Sequence, residues 1–256
     1  MKGKDVLKGK KGLVIGIGNE HSIAWACAKA MHEAGATLGG TWLNDKARPY
    51  VEPLLQSVDA EIQLPLNVSH ESQLEELFEV VTQRWGKLDF LLHSIAFAPK
   101  DDLHGRVVDS SAEGFLQAMD VSCHSFIRMA RLAEPLMKEG GSLMTMSYLG
   151  GEEVVPNYGI MGPVKAALES TVRYLAYELG GQGIRVNAVS PGTIMTRASS
   201  GIASFDALVE ENAQRAPMGA VSIEDVGPLS VFLASDGSRA MTGANLYVDG
   251  GFNILN

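Results

Sequence analysis

Short apolar runs alternate with longer amphipathic segments along the chain, and this alternation restricts the folds that it can adopt. Apolar runs typical of buried strands occupy residues 13–16, 36–42, 61–66, 88–93, 142–146, 184–189 and 246–248. Helical periodicity covers residues 22–34, 46–55, 71–85, 112–137, 158–179 and 223–234. Such alternation favours parallel strands with right-handed crossovers and helices on both faces. The sequence therefore predicts an α/β fold with a doubly wound, seven-stranded parallel sheet, Rossmann-like in its general plan.

The chain is predicted to form a single domain, 1–256, because no linker, low-complexity tract or internal repeat interrupts the alternation. The longest irregular stretch, 191–203, follows the carboxyl end of a strand, where ligands bind in open α/β sheets. Long loops of compact domains often have a function. We therefore expect segment 192–215 to cover a substrate.

Composition excludes several classes of partner. A net charge of -9 opposes binding to nucleic acid or to an anionic membrane surface, and no apolar run reaches the length of a membrane span. The two cysteines, Cys27 and Cys123, lie in apolar helical patterns and are expected to be free thiols. The histidines and cysteines show no metal-ligand spacing, so no metal site is predicted. These features favour a cytoplasmic protein.

A glycine-containing turn follows the first predicted strand and opens the first helix. Gly16 and Gly18 allow a sharp turn, and the amides of a helix that begins near Ser22 and Ile23 would attract a pyrophosphate. His21 breaks the usual G-x-G-x-x-G spacing, so a plain structural turn remains an alternative. Polar or small residues that end the third and fourth strands lie where adenine and ribose would bind, namely Asn67, Val68, Ser94, Ile95 and Ala96.

The end of the second strand bears on the choice of cofactor. An acidic residue there binds the ribose 2′-hydroxyl of NAD, whereas arginine accepts the 2′-phosphate of NADP. NADH is favoured because no basic residue precedes Asp45 at this strand end. Lys46 and Arg48 keep NADPH possible.

Two tyrosines and a lysine form the most informative motif. Tyr148 and Tyr158 are ten residues apart, and Lys165 follows seven residues later. On one helix, residues seven apart lie within about 20° of the same face and about 10.5 Å apart along the axis. Tyr158 and Lys165 would then flank one nicotinamide ribose. If the helix starts instead at Pro163, where proline is tolerated, this argument weakens for Tyr158.

Taken together, these motifs resemble the type I NADH-dependent enoyl-[acyl-carrier-protein] reductases of bacterial fatty acid synthesis, a divergent branch of the short-chain dehydrogenase/reductase superfamily. The resemblance extends from about residue 8 to residue 253, in matching order, and includes 93–98 and the closing Val248-Asp249-Gly250-Gly251. The Tyr-x6-Lys spacing is its most specific part. Ordinary members of the superfamily use Tyr-x3-Lys, and here that position is Met161.

The resemblance implies reduction of the carbon-carbon double bond of trans-2-enoyl-acyl carrier protein by NADH, the last step of the elongation cycle, in a homotetramer. Tyr158 would meet the developing enolate as a donor, Lys165 would bind the ribose, and Tyr148 would support the pocket. The implied cofactor positions are Gly16, Ser22, Ile23, Asn67, Val68, Ile95, Lys165, Ile194 and Thr196. The implied substrate positions are Ala98, Met161, Ala198, Ile202 and Phe205.

Two departures and two alternatives accompany this interpretation. Leu43 replaces a usually polar residue near the adenine, and Asn67 a usual Asp, so adenosine affinity or NADH preference is open to change. A ketoreductase of the same superfamily is one alternative, which Met161 disfavours. A non-catalytic dinucleotide-binding regulator is the other, disfavoured by the joint presence of Tyr158 and Lys165.

Overall fold

The computed structural model describes residues 5–196 and 205–255. Within them the strands form one seven-stranded sheet in the order β3-β2-β1-β4-β5-β6-β7, and every neighbouring pair is parallel. The strands are β1 (Lys11–Ile15), β2 (Thr37–Trp42), β3 (Ile62–Pro65), β4 (Phe90–His93), β5 (Gly141–Met146), β6 (Ile184–Pro191) and β7 (Asn245–Val248). The predicted doubly wound parallel sheet is confirmed.

Helices separate the strands and cover both faces of the sheet. They are α1 (Ile23–Glu33), α2 (Arg48–Ser57), α3 (Glu71–Trp85), α4 (Lys100–Leu103), α5 (Ala112–Met119), α6 (Ser125–Ala133), α7 (Met161–Gly180), α8 (Phe205–Arg215) and α9 (Ile223–Ala234). None of the helices in the described part of the chain has both the length and the apolar character that a membrane crossing needs.

Alternate residues of each central strand belong to two separate hydrophobic cores. Leu13 and Leu91 pack with α3, α6 and α7, whereas Val14 and Leu92 pack with α1, α2 and α9. Successive side chains of a strand point to opposite faces, so a sheet covered on both sides needs strands that are apolar throughout. This requirement explains the continuous apolar runs in the sequence.

The long helix predicted over 112–137 is interrupted. A π-helical turn, Asp120–His124, separates α5 from α6, and a 3₁₀ turn follows α6. Ser122 in the π turn is fully buried, and its hydroxyl donates to the Phe97 carbonyl at 3.0 Å and accepts from the Phe97 amide at 2.9 Å. The wider turn thus holds the loop that follows β4.

The helix predicted over 158–179 begins only at Met161, which corrects one argument made from the sequence. Tyr158 lies in the preceding turn, between Asn157 at φ 63° and Gly159 at φ 54°. Pro163 falls in the first helical turn, where backbone N–H groups have no partner within the helix. The N–H group that proline lacks therefore costs no helical hydrogen bond. Tyr158 and Lys165 therefore do not share a helix face, and the turn positions Tyr158.

Close packing between β1 and β4 predicts a strong effect of one added methyl group. A Cβ at Gly12 would lie 1.9 Å from the ring of the fully buried Phe90. We expect Gly12→Ala to lower the free energy of unfolding by about 1–3 kcal/mol, the usual cost of overpacking. Urea denaturation at a fixed protein concentration measures this. Gly180→Ala is the control, since no atom in residues 5–196 or 205–255 would lie within 4 Å of its Cβ. Equal stabilities of the two variants would contradict the packing argument.

Candidate active site

The site residues lie at the carboxyl ends of the central strands. Gly16 follows β1, Ser94 follows β4, Ser147 follows β5 and Gly192 follows β6. Because the strands are parallel, these ends meet at one edge of the sheet, where the strand order reverses between β1 and β4. The topology thus brings together residues that are far apart in sequence.

The turn after β1 needs its first glycine and has free space at its second. Gly16 has φ +105°, and a Cβ there would lie 2.1 Å from the Ser94 carbonyl oxygen. A Cβ on Gly18 would meet no atom of the described residues within 4 Å. The Ser22 hydroxyl donates to the Asn19 carbonyl at 2.7 Å, so this N-cap side chain makes no capping hydrogen bond to the first turn of α1. Open space before an uncapped helix start fits a bound pyrophosphate.

The ends of β3 and β4 are held by local hydrogen bonds. The Asn67 side-chain oxygen accepts from the Ser69 amide at 3.0 Å, and the Asn67 amide donates to Gln73 at 2.7 Å. Val68 is buried, and its carbonyl accepts from Arg128 at 2.7 Å. Ile95 packs against the core as a half-buried side chain. These positions are ordered by the fold itself.

The strand end that bears on cofactor choice has an exposed leucine and an arginine in an ion pair. Leu43 is 55% exposed directly after β2. The Arg48 guanidinium pairs with Glu52 at 2.8 Å and lies 5.4 Å from the centre of the Trp42 ring. Arg48 is thus engaged on its own helix, which disfavours it as the receptor of a 2′-phosphate.

Tyr158 is a buried phenol packed against a second tyrosine. Its ring centre lies 4.9 Å from that of Tyr148, with the planes at 60°. The ring packs directly on Gly150, where a Cβ would lie 2.4 Å from a ring carbon. Burial raises the pKa of Tyr158 above its ordinary value, and the neighbouring Tyr148 and Glu169 raise it further. Tyr158 therefore remains a protonated hydrogen-bond donor at neutral pH.

Tyr148 is half-buried, and its hydroxyl lies 2.9 Å from that of Thr193. Burial raises the pKa of Tyr148, while the hydrogen bond with Thr193 lowers it. Thr193 also accepts a hydrogen bond from the side-chain amide of Asn212 on α8. A short chain of polar groups thus runs from α8 to the tyrosine pair.

Lys165 is a buried ammonium group anchored to the end of β5. Only 4% of the residue is exposed, and its Nζ donates to the Met146 carbonyl at 2.7 Å. Burial lowers the pKa of Lys165 to about 8, and the negative potential of Glu169 and Cys123 opposes this shift. The Glu169 carboxylate in turn accepts from Asn245 at 3.2 Å and from the Ser147 hydroxyl.

The sequence analysis missed two polar groups beside Lys165. His93, fully buried, bonds to Thr145 at 2.9 Å and to Ser125 at 2.8 Å, and burial with the nearby Lys165 lowers its pKa to about 3. Neutral His93 thus ties β4 to β5 and to α6. Glu169 follows Lys165 by four residues, and this helical spacing was a signal that could have identified it.

An apolar cluster surrounds the tyrosines and contains two predicted substrate residues. Ala98 and Met161 pack with Tyr148 and Tyr158. Phe205, the first residue of α8, is buried, but within the described ranges it is not a member of that cluster. Ile194 and Thr196 follow β6, the first buried and the second half-buried. Ala198 and Ile202 lie outside the described residues.

Comparison with known proteins decides the family. Residues 16–253 match the family model described as "Enoyl-(Acyl carrier protein) reductase". The chain belongs to this reductase family. A relative from Rhizobium meliloti, the NADH enoyl-[acyl-carrier-protein] reductase 1, is 44% identical over 98% of this chain and 92% of its own. A reductase of the same description from Nostoc is 45% identical over 97% of this chain and 98% of its own.

Solved structures of similar reductases have the same fold. The enzyme from Anaplasma phagocytophilum, in complex with NAD, matches with a TM-score of 0.95 and 42% identity over 100% of this chain and 98% of its own. The Bacillus cereus enzyme, with NADP+ and indole naphthyridinone, matches with a TM-score of 0.96 and 42% identity, over 98% of this chain and 99% of its own. The family resemblance noted in the sequence is confirmed.

The burial of Lys165 predicts a pH-dependent stability of the reductase. Its pKa is about 8 in the folded state and 10.5 when unperturbed, so between these values the unfolded chain binds more protons. Stability from this group is therefore gained as pH rises through this window and is absent below it. We expect the free energy of unfolding to rise, relative to Lys165→Met, by on the order of 3 kcal/mol across the window.

Urea denaturation of the wild type and of Lys165→Met at pH 7.5 and pH 10 measures this difference. Lys29→Met, at an exposed position of α1, is the matched control because its side chain loses little solvent on folding. A wild-type advantage over Lys165→Met that shrinks with rising pH would contradict the assignment.

Proposed function

We propose that this reductase transfers hydride from NADH to the β-carbon of trans-2-enoyl thioesters borne by acyl carrier protein, the last step of the fatty acid elongation cycle. The observation that carries the proposal is the buried, neutral phenol of Tyr158, packed with Tyr148 and Met161 in an apolar cluster at the strand ends. Family membership supports the same activity.

Tyr158 acts as the donor that stabilises the substrate's developing charge. When bound, NADH supplies the hydride. Addition at the β-carbon moves negative charge to the thioester oxygen, where a preorganised donor in a dry site is most effective. Tyr158 meets that need because its phenol, protonated at neutral pH, lies buried in the apolar cluster. A proton from solvent water then adds to the α-carbon of the enolate, which gives the saturated thioester.

Lys165 binds the ribose hydroxyls of the cofactor and adds positive potential near the nicotinamide. With a pKa of about 8 the group is mostly charged at pH 7. Its bond to the Met146 carbonyl uses one of three ammonium protons, so two remain for ribose oxygens. Tyr148 supports the pocket from the other side of Tyr158.

The residues that would hold the dinucleotide surround the strand ends. NADH is the preferred cofactor in this proposal because Arg48 is paired with Glu52, and NADPH is the second choice. Space before α1 accommodates the pyrophosphate. The proposed cofactor residues are Gly16, Ser22, Ile23, Asn67, Val68, Ile95, Lys165, Ile194 and Thr196.

The acyl chain would lie against Ala98 and Met161, beneath segment 192–215. Within this segment, helix α8 supports the proposal, because its first residue, Phe205, is buried. Ala198 and Ile202 complete the proposed set of substrate residues. In this proposal 1–256 acts as one reductase domain.

A homotetramer in the cytoplasm completes the proposal. Large side chains that are exposed on α5 and α7 support an oligomer, since Leu116, Tyr174 and Tyr177 are each more than half exposed. Acyl carrier protein is the proposed partner that delivers the substrate, and neither nucleic acid nor a membrane is expected to bind a chain of net charge -9.

An absorbance assay separates this function from the two alternatives. We expect NADH oxidation with a crotonyl thioester and none with an acetoacetyl thioester, because Met161 occupies the position where ordinary members of the superfamily have their tyrosine. Oxidation with the acetoacetyl thioester alone would indicate a ketoreductase. Tight dinucleotide binding without oxidation in either assay would indicate a regulator.

Substitution of Tyr158 tests its role as donor. We expect Tyr158→Phe to lower kcat by about 10²–10⁴-fold, the usual contribution of a positioned acid, while NADH binding and the circular dichroism spectrum are retained. Lys165→Ala should lower turnover and weaken NADH binding. Tyr50→Phe, at an exposed site on α2, is the control and should keep full activity. Wild-type rates in both site variants would remove these residues from the mechanism.

A further inference from the structure

A chain of three polar side chains connects α8 to the active-site tyrosines. The Tyr148 hydroxyl lies 2.9 Å from the Thr193 hydroxyl, and the Asn212 side-chain amide donates to the same Thr193 oxygen. Thr193 and Asn212 are only 7% and 8% exposed. Because these groups are removed from water, their hydrogen bonds are stronger than exposed ones, and they polarise one another.

The donors in this chain have a defined direction. The nitrogen of Asn212 can only donate, so the Thr193 oxygen accepts from it. If the same oxygen also accepted from Tyr148, the Thr193 proton would have no acceptor, because Tyr148 and Asn212 are the partners of this hydroxyl among the described residues. The arrangement that leaves no buried donor unpaired therefore has Thr193 donating to the Tyr148 oxygen. Tyr148 then accepts from Thr193, and its own proton is free for another acceptor. The residue packs against the apolar cluster that contains Ala98, Met161 and Tyr158.

The orientation of the Asn212 amide has a physical reason. Its oxygen is buried and has no hydrogen-bond partner within the described protein. The flipped amide would bury two donor protons in that position, and buried orphan donors are rarer than under-satisfied carbonyls.

We propose that Thr193 and Asn212 are positioning residues that turn the Tyr148 hydroxyl proton toward the substrate pocket, where it joins Tyr158 in stabilising the charge on the thioester oxygen. This inference rests on the proposed enoyl reductase function. The same chain ties α8, the described part of the proposed substrate cover, to the tyrosine pair. Neither residue touches the reacting atoms, and both act through Tyr148.

Thr193→Val removes the hydroxyl with almost no change in shape and tests the first link. We expect kcat/KM for the crotonyl thioester to fall about three- to tenfold, the effect of one net hydrogen bond, with the KM for NADH unchanged. Thr193→Ser should restore most of the activity. In a Tyr148→Phe background, Thr193→Val should cause no further loss, because the group it orients is absent.

Two substitutions of Asn212 test the direction of the chain. The carboxylate in Asn212→Asp would accept the Thr193 proton. Thr193 would then accept a hydrogen bond from Tyr148, and the Tyr148 proton would no longer be available to the substrate pocket. Asn212→Leu removes the donor without reversing the chain. We expect Asn212→Asp to lower kcat more than Asn212→Leu does, with thermal unfolding showing that both are folded.

Thr171→Val on α7 is the matched control, since the hydrogen-bond partner of its hydroxyl in the described part of the chain is the Cys123 sulfur at 3.5 Å. A Thr193→Val enzyme as active as the wild type, or a loss that persists in the Tyr148→Phe background, would overturn the positioning role alone. A larger loss in Asn212→Leu than in Asn212→Asp would overturn the proposed direction. A wild-type protein that reduces no enoyl thioester would overturn the proposed function and this role together.

Discussion

The Lys165 ammonium donates to the carbonyl of Met146 at 2.7 Å, and the residue is almost completely buried. Burial of a charged lysine is unfavourable and lowers its pKa, so the charge persists only with compensating partners. The carbonyl supplies one, and Glu169 supplies opposite charge from the next turn of α7. Since Met146 ends β5, this contact fixes α7 against the strand edge where the rest of the site assembles.

Glycines make that assembly possible by allowing backbone and side chains to approach closely. Gly150 supports the ring of Tyr158, and a Cβ on Gly151 would lie 2.7 Å from the Glu169 carboxylate. Gly16 approaches the Ser94 carbonyl in the same way on the other side of the edge. On both the cofactor side and the substrate side of the site, the missing Cβ of a glycine therefore leaves room for a functional group.

Desolvation then sets the protonation states. It keeps Tyr158 and Tyr148 as phenols, while Lys165, with its pKa near 8, remains mostly charged at pH 7. The donors are thus in place before any substrate binds, as electrostatic preorganisation requires. Thr193 and Asn212 connect these donors to α8 by hydrogen bonds. In the proposed arrangement, those hydrogen bonds also set the direction of the Tyr148 hydroxyl proton.

The sequence by itself determined the doubly wound sheet, because continuous apolar strands alternating with amphipathic helices have few other ways to bury their faces. It also located the glycine turn, the tyrosines and Lys165, since short motifs carry that information locally. Only the tertiary structure decided that α7 begins at Met161, that a π turn interrupts the helix after Met119, and that Glu169, His93, Thr193 and Asn212 surround the motif. The reason is physical: burial and hydrogen bonding join residues distant in sequence, and no local pattern encodes which of them meet.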